Sequence, residues 1–158
     1  MKQIILLILI PFLSFGQIEE KERKCKEIYN NLITAIGNNF PEKPQFVFST
    51  STNNPAYIYN NKIYFEEKLY DALSELGDKQ EDGIAFILAH ELAHHYLRHA
   101  WMKKAGYGFK NTQIGQTLIN FEARKLEETA ADYYAGFYAH LSGYKSLSIA
   151  DKVLDIVY

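Results

Sequence analysis

The stretch LAHELAHHYLRHA, residues 88–100, contains four of the five histidines of this chain. The overlapping stretch IAFILAHELA, residues 84–93, is apolar nearly all round, which is typical of a helix buried in a protein core. We predict one helix from about Asp82 to Lys104, preceded by a turn from Gly77 to Gly83. Because buried imidazoles need polar partners, this helix is expected to carry a binding site.

His90, Glu91 and His94 form the pattern H-E-x-x-H. On a helix, His90 and His94 lie one turn and about 40° apart, so both imidazoles can reach one ion. Zinc suits a site with two imidazoles and a carboxylate. Glu91 follows the first ligand, where it can take a proton from a water that the metal activates. The pattern predicts a hydrolytic zinc site with Glu91 as general base.

A catalytic zinc site has three protein ligands and a water, so a third ligand is needed. The other histidines are poorly placed to supply it. His95 is rotated by about 100° from His94, and His99 points to the opposite side of the helix from His90. His140, near the end of the last long helix, is expected at the surface.

The last long helix, predicted over residues 112–141, offers acidic candidates. Glu128 is followed one turn later by Asp132 on the same face. Glu128 can therefore bind the ion while Asp132 fixes the orientation and tautomer of a ligand imidazole. Glu127 has an alanine at that position, and Glu122 is further from the small residues that would let this helix pack closely against the histidine helix. These small residues are Ala130, Ala131, Ala135 and Gly136.

The rest of the pattern predicts a mostly helical α+β fold. Apolar residues at helical spacing indicate a first helix over residues 18–40, with Gly37 near its end. A strand over residues 45–50 is followed by a hairpin over residues 56–67, with Asn60-Asn61 as its turn. The short antiparallel hairpin thus precedes the histidine helix. The remaining expectations are a short helix over residues 67–76, Asp78 or Asp82 as a helix cap, a glycine-rich loop over residues 105–115, and a closing amphipathic helix.

The N-terminal sequence MKQIILLILIPFLSFG, residues 1–16, has the form of a secretory signal peptide. One lysine precedes the apolar run Ile4–Leu13, which is too short to span a bilayer, and the small residues Ser14 and Gly16 follow. We predict cleavage after Gly16, export to the bacterial periplasm or medium, and a single domain over residues 17–158 without a transmembrane span. A retained membrane anchor is the alternative.

Charge and cysteine content exclude several classes of protein. The net charge is −2 with both signs interspersed, which argues against a nucleic-acid partner. Cys25 is the only cysteine, so no disulfide forms within the chain. It lies too far beyond the apolar run to serve as a lipoprotein anchor. We expect an inert thiol on a helix.

The sequences AHELAHHYLRH (89–99) and LEETAADYYAG (126–136) together resemble the gluzincin metallopeptidases related to the CAAX prenyl protease and the heat-shock membrane protease HtpX. The resemblance covers about residues 45–145. It implies a zincin-like domain in which one zinc ion is bound by two histidines and a glutamate. It also implies that an edge strand, here residues 56–59, pairs with a peptide or unfolded protein substrate. The implied ligands are His90, His94 and Glu128, with Glu91 as general base and acid and Asp132 in support.

The resemblance is incomplete at the C-terminal end. Most of these relatives carry membrane helices, or a C-terminal segment with a His-Pro and an arginine, and the present sequence has no counterpart. Cleavage of prenylated proteins is therefore not expected. The candidates for the group that stabilises the tetrahedral intermediate are Arg98, Arg124 and one of the twelve tyrosines, and the sequence does not choose among them.

Three hypotheses follow. The first is a zinc-dependent endopeptidase, and the second is a zinc-containing but catalytically weak binding or regulatory module on the same fold. Cleavage of an unstructured protein that depends on Glu91 separates these two. The third is a helical structural protein with hydrogen-bonded core histidines, which predicts no stoichiometric metal.

Overall fold

The described residues of the computed structural model are 3–37, 42–51, 54–98 and 121–157, with side chains from residue 16 in the first range and from residue 125 in the last. In chain order, these residues form α1 (Gln3–Ile36), β1 (Gln45–Ser49), β2 (Ala56–Tyr59), β3 (Lys62–Glu66), α2 (Glu67–Leu73), α3 (Gln80–Tyr96), α4 (Phe121–Leu141) and α5 (Ala150–Val157). Short 3₁₀ helices span Ser74–Lys79 and Ser146–Ser148. The α+β class and the mostly helical content agree with the sequence prediction.

In the described ranges, the sheet has three strands in the order β1-β3-β2. The predicted hairpin is present: β2 pairs antiparallel with β3, and the turn residues Asn60 and Asn61 have positive φ angles of 48° and 59°. Asparagine tolerates this conformation better than most residues. β1 pairs with β3 in parallel, so the sheet is mixed rather than antiparallel throughout. Among the described residues, β2 is an edge strand of this sheet.

Helix α3 lies in the core, and its residues from Gly83 to Ala93 are all buried. It begins at Gln80, so Gly83 lies inside the helix and not in the predicted turn. A Cβ at Gly83 would lie 2.5 Å from a Leu76 side-chain carbon. Close packing therefore accounts for a glycine at this position of the helix. Neither Asp78 nor Asp82 caps α3. Its N-cap residue is Lys79, whose side chain makes no capping hydrogen bond.

Helix α3 ends at Tyr96. The sequence pattern had it continue to Lys104, so the predicted end of this helix is wrong. The last turn tightens because the Arg98 N–H donates to the His95 carbonyl, and Arg98 then adopts a positive φ of 57°. A non-glycine residue in this conformation stops the helix. The predicted glycine-rich loop and the predicted first turns of the last helix lie outside the described residues.

Helix α4 packs more extensively against α3 than any other pair of elements in the described part of the chain. Ala131, Ala135 and Ala139 are fully buried along α4 at intervals of one turn. Gly136, expected at the same interface, instead faces the 3₁₀ helix Ser146–Ser148, since a Cβ there would meet Leu147. Small side chains thus let α4 approach the histidine helix closely.

Helix α1 begins at Gln3 and continues without a break through Gly16 to Ile36, so it extends further toward the N-terminus than predicted. Its described core side chains all lie beyond Gly16: Cys25, Ile28, Tyr29, Leu32 and Ile36. Gly37 ends the helix with a φ of 80°, as predicted. Within the described ranges, no helix combines the length and apolar character needed to cross a membrane.

Candidate metal centre

The two histidines of the H-E-x-x-H pattern face each other along α3. His90 is buried and His94 is partly buried, with side chains 10% and 15% exposed. Their Nε2 atoms lie 2.9 Å apart. This is the arrangement that the four-residue spacing predicts, because residues one helical turn apart point the same way. The two nitrogens define one side of a small polar cluster.

Helix α4 brings Glu128 to the same cluster. Its Oε2 atom lies 3.4 Å from the Nε2 atoms of both His90 and His94. One ligand atom from each of the three residues lies within 4.8 Å of the others, and the three side chains could hold a metal ion. The Glu128 side chain is 54% exposed, so solvent reaches the cluster from this side.

Asp132, one turn further along α4, contacts the other nitrogen of the His90 ring. The distance from His90 Nδ1 to Asp132 Oδ1 is 2.9 Å. With Nδ1–H donating to this carboxylate, Nε2 is directed at Glu128 and His94. A carboxylate behind an imidazole fixes the ring and its tautomer in this way in metal sites.

The carboxylates and the imidazoles strongly perturb one another. Burial acts to lower the pKa of His90, but hydrogen bonds to Asp132 and Glu128 outweigh it and raise the pKa to about 9. Hydrogen bonds from His90 and His94 hold the pKa of the Glu128 carboxyl well below its usual range. The two carboxylates thus favour the positively charged form of His90, and they favour a cation at the same position.

Glu91 is buried beside this cluster and is turned toward the sheet. Burial raises the pKa of its carboxyl, while the nearby His90 and His94 act in the opposite direction. A hydrogen bond with the backbone of Ile58 in β2 also favours the charged form. The carboxylate that would act as a base therefore contacts the edge strand of the sheet.

The open edge of β2 faces this carboxylate. The Glu66 N–H donates to the Pro55 carbonyl at 2.9 Å, and the register then pairs Tyr57 with Tyr64 in β3. Hydrogen-bonded pairs alternate in an antiparallel ladder, so the backbone groups of Ala56 and Ile58 point away from β3. No strand of the described residues pairs with this edge, and a strand edge of this kind can add another extended chain.

The donor set fits zinc. Ligand atoms around a tetrahedral zinc with bonds of about 2.0–2.2 Å lie about 3.3–3.6 Å apart. The two histidine–glutamate distances of 3.4 Å match this value. The 2.9 Å between the two nitrogens needs to widen by about half an ångström, which small ring rotations allow. Two imidazoles and one carboxylate, with solvent access for a fourth group, are typical of catalytic zinc sites.

The alternative residues lie elsewhere or outside the described part of the chain. His95 Nε2 is 3.1 Å from the Glu42 carbonyl oxygen, away from the cluster, and His140 is exposed as predicted. Arg98 is exposed just beyond the end of α3. The structure does not describe His99 or the side chains of Glu122 and Arg124.

A cavity of about 310 Å³ beside Glu91 was not expected from the sequence. Helix α3 contributes one wall, the chain leading into β2 contributes another, and α5 contributes the third. The amphipathic pattern of residues 143–158 predicts that α5 packs on the domain, but no local pattern indicates which surface it covers. The lining residues outside the H-E-x-x-H pattern are Asn54, Pro55, Ala56, Phe86, Ile87, Leu154 and Val157.

A histidine pair on a buried helix, completed by a glutamate from a second helix, defines a metallopeptidase type of site. The family model of peptidase family M48 matches residues 19–151. The chain therefore belongs to peptidase family M48, a family of zinc-dependent metallopeptidases. No curated protein and no solved structure matches the chain in the same comparisons. The closer relationship to the CAAX protease and HtpX branch stays a prediction.

Proposed function

We propose that this protein is a zinc-dependent endopeptidase that binds one zinc ion per chain through His90, His94 and Glu128. The proposal rests on one observation: three ligand atoms, one from each of these residues, lie within 4.8 Å of one another beside the buried Glu91. Membership of peptidase family M48 supports the same function at the level of the family.

The mechanism assigns each residue a separate task. A zinc ion held by His90, His94 and Glu128 would supply Lewis acidity for the scissile carbonyl and the attacking water. Glu91 takes the proton of the attacking water and passes it to the leaving amine. Burial makes this carboxylate a stronger base than an exposed glutamate, since it raises the pKa. Asp132 accepts the Nδ1–H of His90 and so keeps Nε2 available as a ligand.

The substrate is proposed to be an extended peptide or a segment of unfolded protein. The backbone groups of Ala56 and the carbonyl of Ile58, which point away from β3, would form hydrogen bonds with it along the edge of β2. The contact between Glu91 and the Ile58 backbone supports this placement because it brings the base to the same strand edge. A folded substrate lacks the free backbone groups that such pairing requires.

Export is part of the same proposal. The N-terminal sequence up to Gly16 has the charge and apolar pattern of a signal peptide. Removal of residues 1–16 would leave all the described core side chains of α1, from Cys25 to Ile36, in place. The mass of the protein recovered from its native host would give the cleavage position directly.

The test compares the wild-type chain with Glu91→Gln. Both are loaded with zinc and incubated with a reduced, alkylated and therefore unstructured protein. The substitution retains the size of the side chain and the three proposed ligands, so we expect equal zinc content and a cleavage rate at least about 100-fold lower. Equal cleavage rates would contradict the role of Glu91. Zinc binding without cleavage by the wild type would favour the binding or regulatory module instead.

A further inference from the structure

The outward face of α4 carries a row of apolar side chains that the proposed function does not use. Six large apolar residues are exposed in the described part of the chain, and four of these six lie on this helix. A fifth, Leu147, adjoins them, since it lies where a Cβ of Gly136 would be. We call this set of five residues the α4 stripe, and each member is 49–74% exposed: Leu126, Tyr133, Phe137, Leu141 and Leu147.

The α4 stripe points away from the metal centre. Phe137 follows Glu128 by nine residues, which places the two side chains on opposite sides of the helix. Glu128 contacts His90 and His94 of α3, and Ala135 is fully buried on the same side. Helix α4 is therefore apolar on two opposite sides, and the described part of the chain buries one of them. A helix that is hydrophobic all round is normally buried all round.

The half of α4 that holds most of the stripe lacks the charges of an ordinary exposed helix. Its last nine residues, YYAGFYAHL (133–141), contain no Asp, Glu, Lys or Arg. Large exposed apolar patches mark sites of interaction. Helices that lie on a membrane surface carry Lys and Arg on the polar face that borders the apolar one. This half of α4 carries neither, so its surface suits a protein partner better than lipid headgroups.

The two aromatic rings of the stripe are held in place by neighbouring rings. The ring centroid of Tyr133 lies 5.6 Å from that of Tyr134, and the centroid of Phe137 lies 6.0 Å from that of the buried Tyr138. Tyr138 in turn lies edge-on to Tyr96 of α3, at 6.4 Å. Side chains that are already ordered lose little conformational entropy on binding, so this surface is prepared for a partner.

The spacing of the stripe makes it complementary to itself. Leu126, Ala130, Tyr133 and Phe137 recur in steps of four, three and four residues, which is the spacing of the contact positions in paired helices. In an antiparallel pair of two α4 helices, Leu126 would meet the partner's Phe137, and Ala130 would meet the partner's Tyr133. Each contact would occur twice, because a two-fold axis relates the two chains. A larger side chain would then lie opposite a smaller one at every level.

The area of the stripe is sufficient for a specific pair. The five exposed fractions together amount to about three whole side chains, or roughly 500 Å² per chain at about 150–200 Å² each. Burial on both chains would remove roughly 1,000 Å² from water before the residues between them are counted. This value reaches the lower limit for a specific interface, about 1,000 Å² in total.

We propose that the α4 stripe is the interface of a symmetric dimer, in which the α4 helices of two chains pack antiparallel. The stripe lies opposite Glu128, so each chain would keep its own metal centre. The proposal is therefore independent of the endopeptidase function, and its test needs no substrate.

Sedimentation equilibrium of the full chain at micromolar concentration measures the association state, with the chain mass from mass spectrometry as the reference. We expect twice the chain mass for the wild type. Phe137→Glu places a charge in the interface and should raise the dissociation constant at least about 100-fold. Tyr59→Glu is the matched control, because Tyr59 is the exposed large apolar residue of the described part that lies outside the stripe. It should remain dimeric, as should Tyr133→Leu, which retains an apolar side chain.

A cross-linking experiment tests the antiparallel arrangement without placing a charge in the interface. Chains with Leu126→Cys are mixed with chains with Phe137→Cys and treated with a short bifunctional thiol reagent. We expect cross-linked dimers that contain one chain of each kind. Leu126→Cys alone should give little product, because its two cysteines would lie about 16 Å apart along the pair. The buried Cys25 is the same in all samples.

Several results would overturn the proposal. One is a wild type that is monomeric at these concentrations, and another is a Phe137→Glu chain that is folded by circular dichroism and still dimeric. If Phe137→Glu does not fold, the cross-links decide, and links between two Leu126→Cys chains would refute the antiparallel pair. A monomeric wild type that sediments with phosphatidylglycerol vesicles would assign the stripe to a membrane surface instead.

Discussion

His90 is the residue on which the proposed site depends most, because both of its ring nitrogens are engaged. Nδ1 lies 2.9 Å from Asp132, while Nε2 faces Glu128 and His94. Two carboxylates around one buried imidazole stabilise its protonated form when no metal is present. A metal ion at Nε2 must therefore displace a proton, which makes metal affinity dependent on pH.

Zinc binding is predicted to release at least one proton at neutral pH. The pKa of His90 in the metal-free protein is raised to about 9, so the ring is protonated below that pH and zinc must compete with the proton. The apparent affinity should rise by up to about tenfold per pH unit between pH 7 and 9 and level off above. Calorimetry in buffers of different ionisation enthalpy measures the released protons. An affinity independent of pH over this range would contradict the described hydrogen bonds of His90.

Local spacing in the sequence was sufficient to predict which proposed site residues lie side by side within each helix. A helical period places His90 beside His94 and Asp132 beside Glu128, so each helix carries its pair wherever the two helices meet. The spacing could not indicate that Glu91 contacts Ile58 or that α5 lines a cavity beside it. These contacts join residues far apart in the chain, and a single sequence contains no local signal for them.

At the scale of the elements, the packing of α4 against α3 determines whether the two pairs meet. Ala131, Ala135 and Ala139 are fully buried, and their small side chains set the close approach of the helices. The sequence predicted this interface because small residues recur at helical spacing. It misplaced the end of α3, since nothing in the residues after Tyr96 signals the positive φ of Arg98. The sequence also did not predict that β1 pairs in parallel with β3, because strand partners distant in sequence leave no local pattern.

Enlarging one of these alanines is predicted to separate the helices. Ala135→Leu adds methyl groups to a packed interface and should lower the free energy of unfolding by about 1–3 kcal/mol. It should also reduce zinc retention, because Glu128 moves with α4. The control is Tyr133→Leu on the same helix, where the side chain is 74% exposed and a change within about 0.5 kcal/mol is expected. Denaturant unfolding measures both variants, and an unchanged stability for Ala135→Leu would refute the close packing.

At the scale of the whole molecule, the core connects α1 to α3, the sheet and the two last helices. Cys25 of α1 belongs to this core and is fully buried. Lys21 adds ion pairs from α1 to Glu67 and Asp71 of α2. The predicted inert thiol is thus buried by contacts that depend on the whole fold.

Cys25 should therefore report on global opening of the domain. Burial raises the pKa of its thiol to about 12, so the native protein holds almost no reactive thiolate at neutral pH. We expect thiol reagents to label one cysteine per chain rapidly in denaturant and only at the rate of unfolding in buffer. Mass spectrometry over a time course measures this. Rapid stoichiometric labelling of the native chain would show that α1 is not held in the core as described.

The account as a whole depends on the metal centre, and the most direct test is the zinc content of the purified chain by elemental mass spectrometry. Wild type is compared with Glu128→Ala and with Glu127→Ala, which removes the neighbouring carboxylate from the same helix. The account predicts about one zinc per chain in the wild type and in Glu127→Ala, and a loss of zinc in Glu128→Ala. Equal zinc in Glu128→Ala, or no zinc in the wild type after reconstitution, would contradict it.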